Sequence, residues 1–144
     1  MGGCYMNLDL IKKYEGFSSQ AYRCPAGVWT IGWGHTGRDI NKDTILTREE
    51  AELMLKKDVA NLQEQILFLL DGKPSMNELD ALTSLVYNVG LGAFKKSRLL
   101  KRINLKDNGE LISKEWIEFN KVNGKVVKGL LRRRAEEICL YFTN

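Results

Sequence analysis

The sequence predicts an α+β protein, a small β-sheet lobe and a helical lobe joined by one long helix, and three stretches carry that prediction. Residues 17 to 36 hold Tyr22 and the β-prone run Val28-Trp-Thr-Ile-Gly-Trp33, separated by the turn Pro25-Ala-Gly27. From Thr47, apolar residues at 51, 54, 55, 62, 66 and 69 return near the helical period, a pattern that runs unbroken to Leu70. Beyond Pro74 helical stretches alternate with Gly- and Asn-containing breaks.

Taken in order, Asn7 to Tyr14 reads as a short helix with Leu10, Ile11 and Tyr14 on one face, Asn7 as its cap and Gly16 as its stop. Glu15 thereby falls at the negative end of that helix. A hairpin-based sheet follows, its second strand thinned by Gly32 and Gly34. Thr47-Arg-Glu-Glu50 is a capping box that opens the long helix, Asp71-Gly-Lys-Pro74 ends it, and Ser75-Met-Asn-Glu78 is a second capping box. The helix after it runs through Leu79, Leu82, Leu85 and Val86, and residues 88 to 92 turn the chain. Further helices are expected at about 94 to 103, 111 to 119 and 130 to 142, divided by Asn108-Gly109 and Asn123-Gly124. The organisation is one domain over residues 1–144, with a sheet-bearing lobe at 6–46, a linking helix at 47–70 and a helical lobe at 71–144.

Composition narrows the function classes. The chain has 144 residues, 44% apolar and 28% charged, with a net charge of +4, which suits one globular domain. Its longest strongly apolar run, Ile66 to Leu70, is far short of the roughly 20 residues that span a bilayer, so stable membrane insertion is not expected. The first six residues lack the basic start and apolar stretch of a secretory signal, and Met6 sits where a myristoylation site needs Ser or Thr. Three widely spaced cysteines, Cys4, Cys24 and Cys139, fit neither a disulfide framework nor a zinc site. No phosphate loop, metal-ligand cluster or Ser/His/Asp arrangement is present, so no cofactor or metal is expected. Residues 93 to 134 carry 13 Lys and Arg against 4 acids, which favours an anionic partner: nucleic acid, an anionic membrane surface or the bacterial wall.

The densest run of informative residues is Tyr14-Glu-Gly-Phe17, Cys24 and Thr30-Ile-Gly-Trp-Gly-His-Thr36. Eight residues separate Glu15 from Cys24 and five separate Cys24 from Thr30. This resembles the glutamate, aspartate-or-cysteine, threonine triad of the phage-type lysozymes, glycoside hydrolase family 24. Asn88-Val-Gly-Leu-Gly-Ala-Phe94 with Ser97, then Asn120-Lys-Val-Asn-Gly124 and Gly129-Leu-Leu-Arg-Arg-Arg-Ala-Glu-Glu137, are similar to the family's later blocks and stand in its order.

The resemblance implies a lysozyme-like fold and a muramidase that cuts the β-1,4 bond between N-acetylmuramic acid and N-acetylglucosamine. Its partner is then the peptidoglycan glycan strand and not nucleic acid, and the protein acts as a monomer. Synthesis in the host cytoplasm and access to the wall once a separate factor has permeabilised the inner membrane are also implied. Glycoside hydrolysis needs a proton donor for the departing oxygen, the role given to Glu15. The helix end and the neighbouring Tyr14 and Phe17 both oppose ionisation of such a carboxyl.

Cys24 takes the second place, where most members have aspartate. It either removes a proton, attacks covalently or positions the water, and Arg23 beside it is a cation that could promote the thiolate if strand alternation did not send the two side chains to opposite faces. Thr30 fixes the attacking water opposite Glu15, which implies inversion at the anomeric carbon. Thr36, Tyr87 and Ser97 match sugar-binding positions. His35 is read as structural, Trp29, Trp33 and Trp116 as core, and Arg133, Arg134 and Glu137 as pairing on a helix surface. A disulfide from Cys24 to Cys4 or Cys139 would cap the active-site sulfur. The competing readings are a lytic transglycosylase and a non-catalytic wall-binding module.

Overall fold

A computed structural model of the chain describes residues 7–144, which fall into two compact units divided between Asn61 and Leu62. The readings of residues 1 to 6, Cys4 among them, lie outside the described residues.

In the first unit helix α1 (Asp9–Glu15) is followed by strands β1 (Ser18–Arg23), β2 (Trp29–Gly32) and β3 (His35–Thr36), an antiparallel sheet in the order β1-β2-β3. Helix α1 starts two residues later than the sequence suggests, because the Asn7 side chain accepts from the Asp9 N–H at 3.0 Å in a turn ahead of the helix, and Leu8 occupies the cap position. Gly16, at φ 69°, stops the helix as expected and donates its N–H to the Lys12 carbonyl.

Helix α2 (Arg48–Leu69) begins with the expected box: the Thr47 hydroxyl accepts from the Glu50 N–H at 3.1 Å, and the Glu50 carboxylate accepts from the Thr47 N–H at 2.9 Å. Its first half contributes Ala51, Leu55 and Val59 to a core with Leu8, Ile11, Ile31, Trp33 and Ile40. Gly32 approaches so closely that a side-chain carbon there would stand 3.4 Å from Ala51 Cβ, and its φ of +65° suits glycine as well. His35 Nδ1 lies 2.6 Å from Asp58 Oδ2, tying β3 to α2, so this histidine is the hydrogen-bonded structural residue the sequence suggests. The Arg48 guanidinium stacks 4.5 Å from the Phe17 ring centroid, and Phe17 packs on Trp33.

The second unit contains the end of α2, then α3 (Met76–Val89), α4 (Leu91–Lys95), α5 (Arg98–Asn104), α6 (Gly109–Ile117), a two-stranded hairpin of β4 (Lys121–Val122) and β5 (Lys125–Val126), and α7 (Lys128–Tyr141). The Ser75–Glu78 capping box opens α3. Every residue of α3 from Asp80 to Val86 is buried, so the middle of this helix is enclosed on all sides, and its leucines join Ile66, Phe94, Leu99, Leu100, Ile112, Trp116 and Tyr141 in one core. At about 1.5–3 kcal/mol for each large apolar side chain, this cluster dominates the stability of the unit.

Three expectations are corrected in this unit. The single helix at about 94 to 103 is two, because Ser97 is an N-cap whose hydroxyl accepts from the Leu100 N–H at 3.1 Å and donates to the Phe94 carbonyl at 2.7 Å. Asn123-Gly124 does more than divide helices: with φ of 51° and 79° it forms the tip of the β4–β5 hairpin, the two-residue loop that needs positive φ at both positions.

Arg133, Arg134 and Glu137 do not pair on a surface. Both Arg134 and Glu137 are fully buried, with Arg134 Nε 2.7 Å and Arg133 Nε 3.3 Å from the Glu137 carboxylate. Trp116 and Ser84 donate to the same carboxylate at 3.0 and 2.6 Å. Helical spacing brings an Arg and a Glu together equally well inside or outside; here the enclosing elements decide. Trp33 and Trp116 are core residues as expected, whereas Trp29 is half-buried.

Candidate active site

The site residues of the first unit are placed by helix α1 and the first two strands. Glu15 is the last residue of α1, half-buried, and the chain leaves the helix at Gly16 immediately after it. Cys24 is the first residue beyond β1, at the start of a tight turn closed by Cys24 N–H to the Val28 carbonyl at 2.9 Å and Gly27 N–H to the Cys24 carbonyl at 2.7 Å. Gly27 adopts φ +80°, a conformation that favours glycine, and this folds the turn back over its own first side chain.

The consequence is electrostatic. The main-chain N–H groups of Val28 and then Ala26 hold the Cys24 thiol below its ordinary value; partial burial opposes them, and the Thr30 hydroxyl and the N–H of Cys24 itself add to the lowering. Arg23, the cation next in sequence, is directed elsewhere. It pairs across the strands with Trp29 and stacks its guanidinium 5.0 Å from that ring's centroid, on the opposite face as strand alternation requires.

Thr30 is buried in β2 and donates to the Val28 carbonyl at 3.0 Å, a bond that links the turn to the strand. Directly opposite it on β3 stands Thr36, which is exposed, and directly opposite it on β1 stands Tyr22. The sequence suggested Tyr22 only as β-prone, and the register is what sets it across from Thr30. Its phenol is pushed up first by burial and then by the negative charges of Glu15 and Cys24. The signal was available in the spacing, since residues two apart on a strand share a face.

The other two sugar-binding candidates lie in the second unit, Tyr87 half-buried on α3 and Ser97 at the cap of α5. Cys24 and Cys139 are free thiols. Among the described residues no group of three or more His, Cys, Asp or Glu could hold a metal, and no helix is long and apolar enough to cross a membrane.

Glu15 thus ends a helix, and Cys24 and Thr30 stand close to the tip of a small sheet, all three in the first unit. The chain belongs to the phage lysozyme family, which it matches over residues 12–137. It is 40% identical over 138 residues to an endolysin of Acyrthosiphon pisum secondary endosymbiont phage 1, a match covering 93% of each chain. It is 38% identical to an endolysin of Bacillus phage B103, of whose length it spans about half, 52%. Among solved structures, the muramidase domain of SpmX from Asticaccaulis excentricus superposes with a TM-score of 0.86 at 33% identity over 95% of both chains. The protein is thus a phage lysozyme with peptidoglycan as its substrate.

Proposed function

We propose that the chain hydrolyses the β-1,4 bond between N-acetylmuramic acid and N-acetylglucosamine with Glu15 as general acid, Cys24 as the base that activates water, and Thr30 as the hydroxyl that holds that water. Glu15 gives its proton to the glycosidic oxygen as the bond from the anomeric carbon to that oxygen breaks. Water attacks the same carbon from the opposite face, and its proton passes to the Cys24 thiolate, leaving the product with inverted configuration.

The observation that carries this reading is the turn at Cys24. A thiol is a poor base near neutrality unless its thiolate is stabilised, and the Val28 and then the Ala26 N–H groups supply the largest part of that stabilisation. Covalent attack by the sulfur would retain the configuration, so the anomer first formed separates the two roles. Thr36, Tyr87 and Ser97 are assigned to sugar binding, Ser97 with the lone pair its capping bonds leave over.

The two units are lobes of one domain, and the protein works as a monomer. It is made in the host cytoplasm and reaches the wall once the inner membrane has been permeabilised. Digestion of purified walls by the parent and by Glu15→Gln, with mass spectrometry of the products, tests the reading. Reducing ends carrying an added water, abolished by the substitution, are expected. Anhydromuramyl ends would make the enzyme a lytic transglycosylase, and wall binding with no cleavage by the parent would leave only a binding module.

A further inference from the structure

The strand register assembles a polar row that the triad alone does not describe. Tyr22, Thr30 and Thr36 are direct cross-strand partners, so three hydroxyl-bearing side chains line up across the sheet on one face. Cys24 follows Tyr22 by two residues, while Arg23 and its partner Trp29 occupy the other face and stack there. Within the row the exposures differ sharply: Thr30 is 4% exposed and Tyr22 40%, so the aromatic ring is only partly covered and substrate and water can reach it. The charges of Glu15 and of Cys24 both act on the phenol and keep its proton in place, so it offers one O–H.

We infer that Tyr22 is a positioning residue of the hydrolytic site, its hydroxyl donating a hydrogen bond to the Cys24 sulfur, two residues on along the same face, and so fixing the sulfur beside Thr30. The inference rests on the roles proposed above for Glu15 and Cys24. It explains why a large aromatic side chain with a polar tip stands at the solvent side of a short strand, directly across from the water-holding threonine.

The test uses the full chain and Tyr22→Phe, which keeps the ring and removes only the donor. Two quantities are followed: turnover of purified wall, resolved into kcat and KM, and the rate at which iodoacetamide alkylates Cys24 as pH is varied, read by mass spectrometry of the Cys24 peptide. A fall in kcat of about tenfold is expected from loss of one charge-assisted hydrogen bond, with KM changed by less than about twofold. The midpoint of the alkylation profile is expected to move to higher pH, because the thiolate has lost a donor.

Unchanged kcat and an unchanged alkylation profile would overturn the inference. So would a fall in kcat with the profile unmoved, which is what simple loss of packing gives. Glu15→Gln keeps the two levels apart: if it retains turnover, the catalytic assignment fails, whereas loss of turnover in Glu15→Gln beside an unaffected Tyr22→Phe sinks only the role of the tyrosine.

Discussion

Each unit holds one dense cluster of ionisable and polar side chains, and the two are built in opposite ways. In the second unit Glu137 is wholly enclosed, and both of its oxygens are engaged by Arg133, Arg134, Trp116 and Ser84 at 2.6 to 3.3 Å. Nothing there is left for a substrate to take or give, and the cluster fixes where α7, α6 and α3 meet. In the first unit Glu15 and Cys24 are half-buried, Tyr22 is exposed, and main-chain N–H groups hold the Cys24 thiol below its ordinary value. Charge density therefore does not mark a reactive site; an ionisable group does so when it is perturbed and can still be reached.

The contrast breaks most visibly at the two glutamates. Glu15→Gln should lower wall hydrolysis by about 100- to 10,000-fold, the usual worth of a general acid, and leave the urea unfolding curve in place. Glu137→Ala should do the reverse, costing about 3–5 kcal/mol in urea unfolding because two arginines are left buried without their carboxylate, while turnover per folded molecule persists. If Glu137→Ala unfolds at the parent's urea concentration, the enclosed cluster is not what holds these helices.

A smaller effect belongs to a tyrosine of the second unit. Burial, followed by the charge of Glu78, pushes Tyr141 in the second unit up to about 12, so its phenol stays neutral in the folded chain after the unfolded chain has begun to ionise near 10. Its contribution is fully present below pH 10 and is lost between about pH 10 and 12, a fall of about 2–3 kcal/mol. Unfolding followed against pH should show that fall in the parent and not in Tyr141→Phe.

In the proposed reaction the Cys24 thiolate is the active form, and a lowered thiol lets the rate rise at a lower pH than an ordinary cysteine would. Cys24→Asp should carry that rise further down, into the carboxylate range, and Cys24→Ser should abolish it and lose about 10- to 100-fold in rate. Smallest of all, Thr47→Ala and Ser75→Ala remove the same capping device from the two units and should each cost about 1 kcal/mol in thermal unfolding.

The sequence carried the local devices well and the enclosed ones poorly. Capping boxes at Thr47 and Ser75, the stop at Gly16 and the Glu15–Cys24–Thr30 spacing are each complete within a few residues or an interval, and all could be read before any fold was known. The β4–β5 hairpin escaped because two-residue strands leave no alternation to detect, so that only its Asn-Gly tip showed. The burial of Arg133 and Glu137 depends on Ser84 and Trp116, 49 and 21 residues away from their partners, which no helical window contains. Tyr22 needed the register: alternation puts it on the face of Cys24, but only the β1–β2 pairing sets it across from Thr30.

The turn over Cys24 has one more implication. The N–H groups that lower the Cys24 thiol belong to the main chain of Ala26 and Val28, which amino acids other than proline would provide equally. Pro25, Ala26 and Val28 are thus open to replacement by most residues, whereas loop length and the glycine at 27 are not. An engineer wishing to recolour the rim of this enzyme, adding an affinity tag or a contact for a different wall, has those three letters to spend without touching the chemistry.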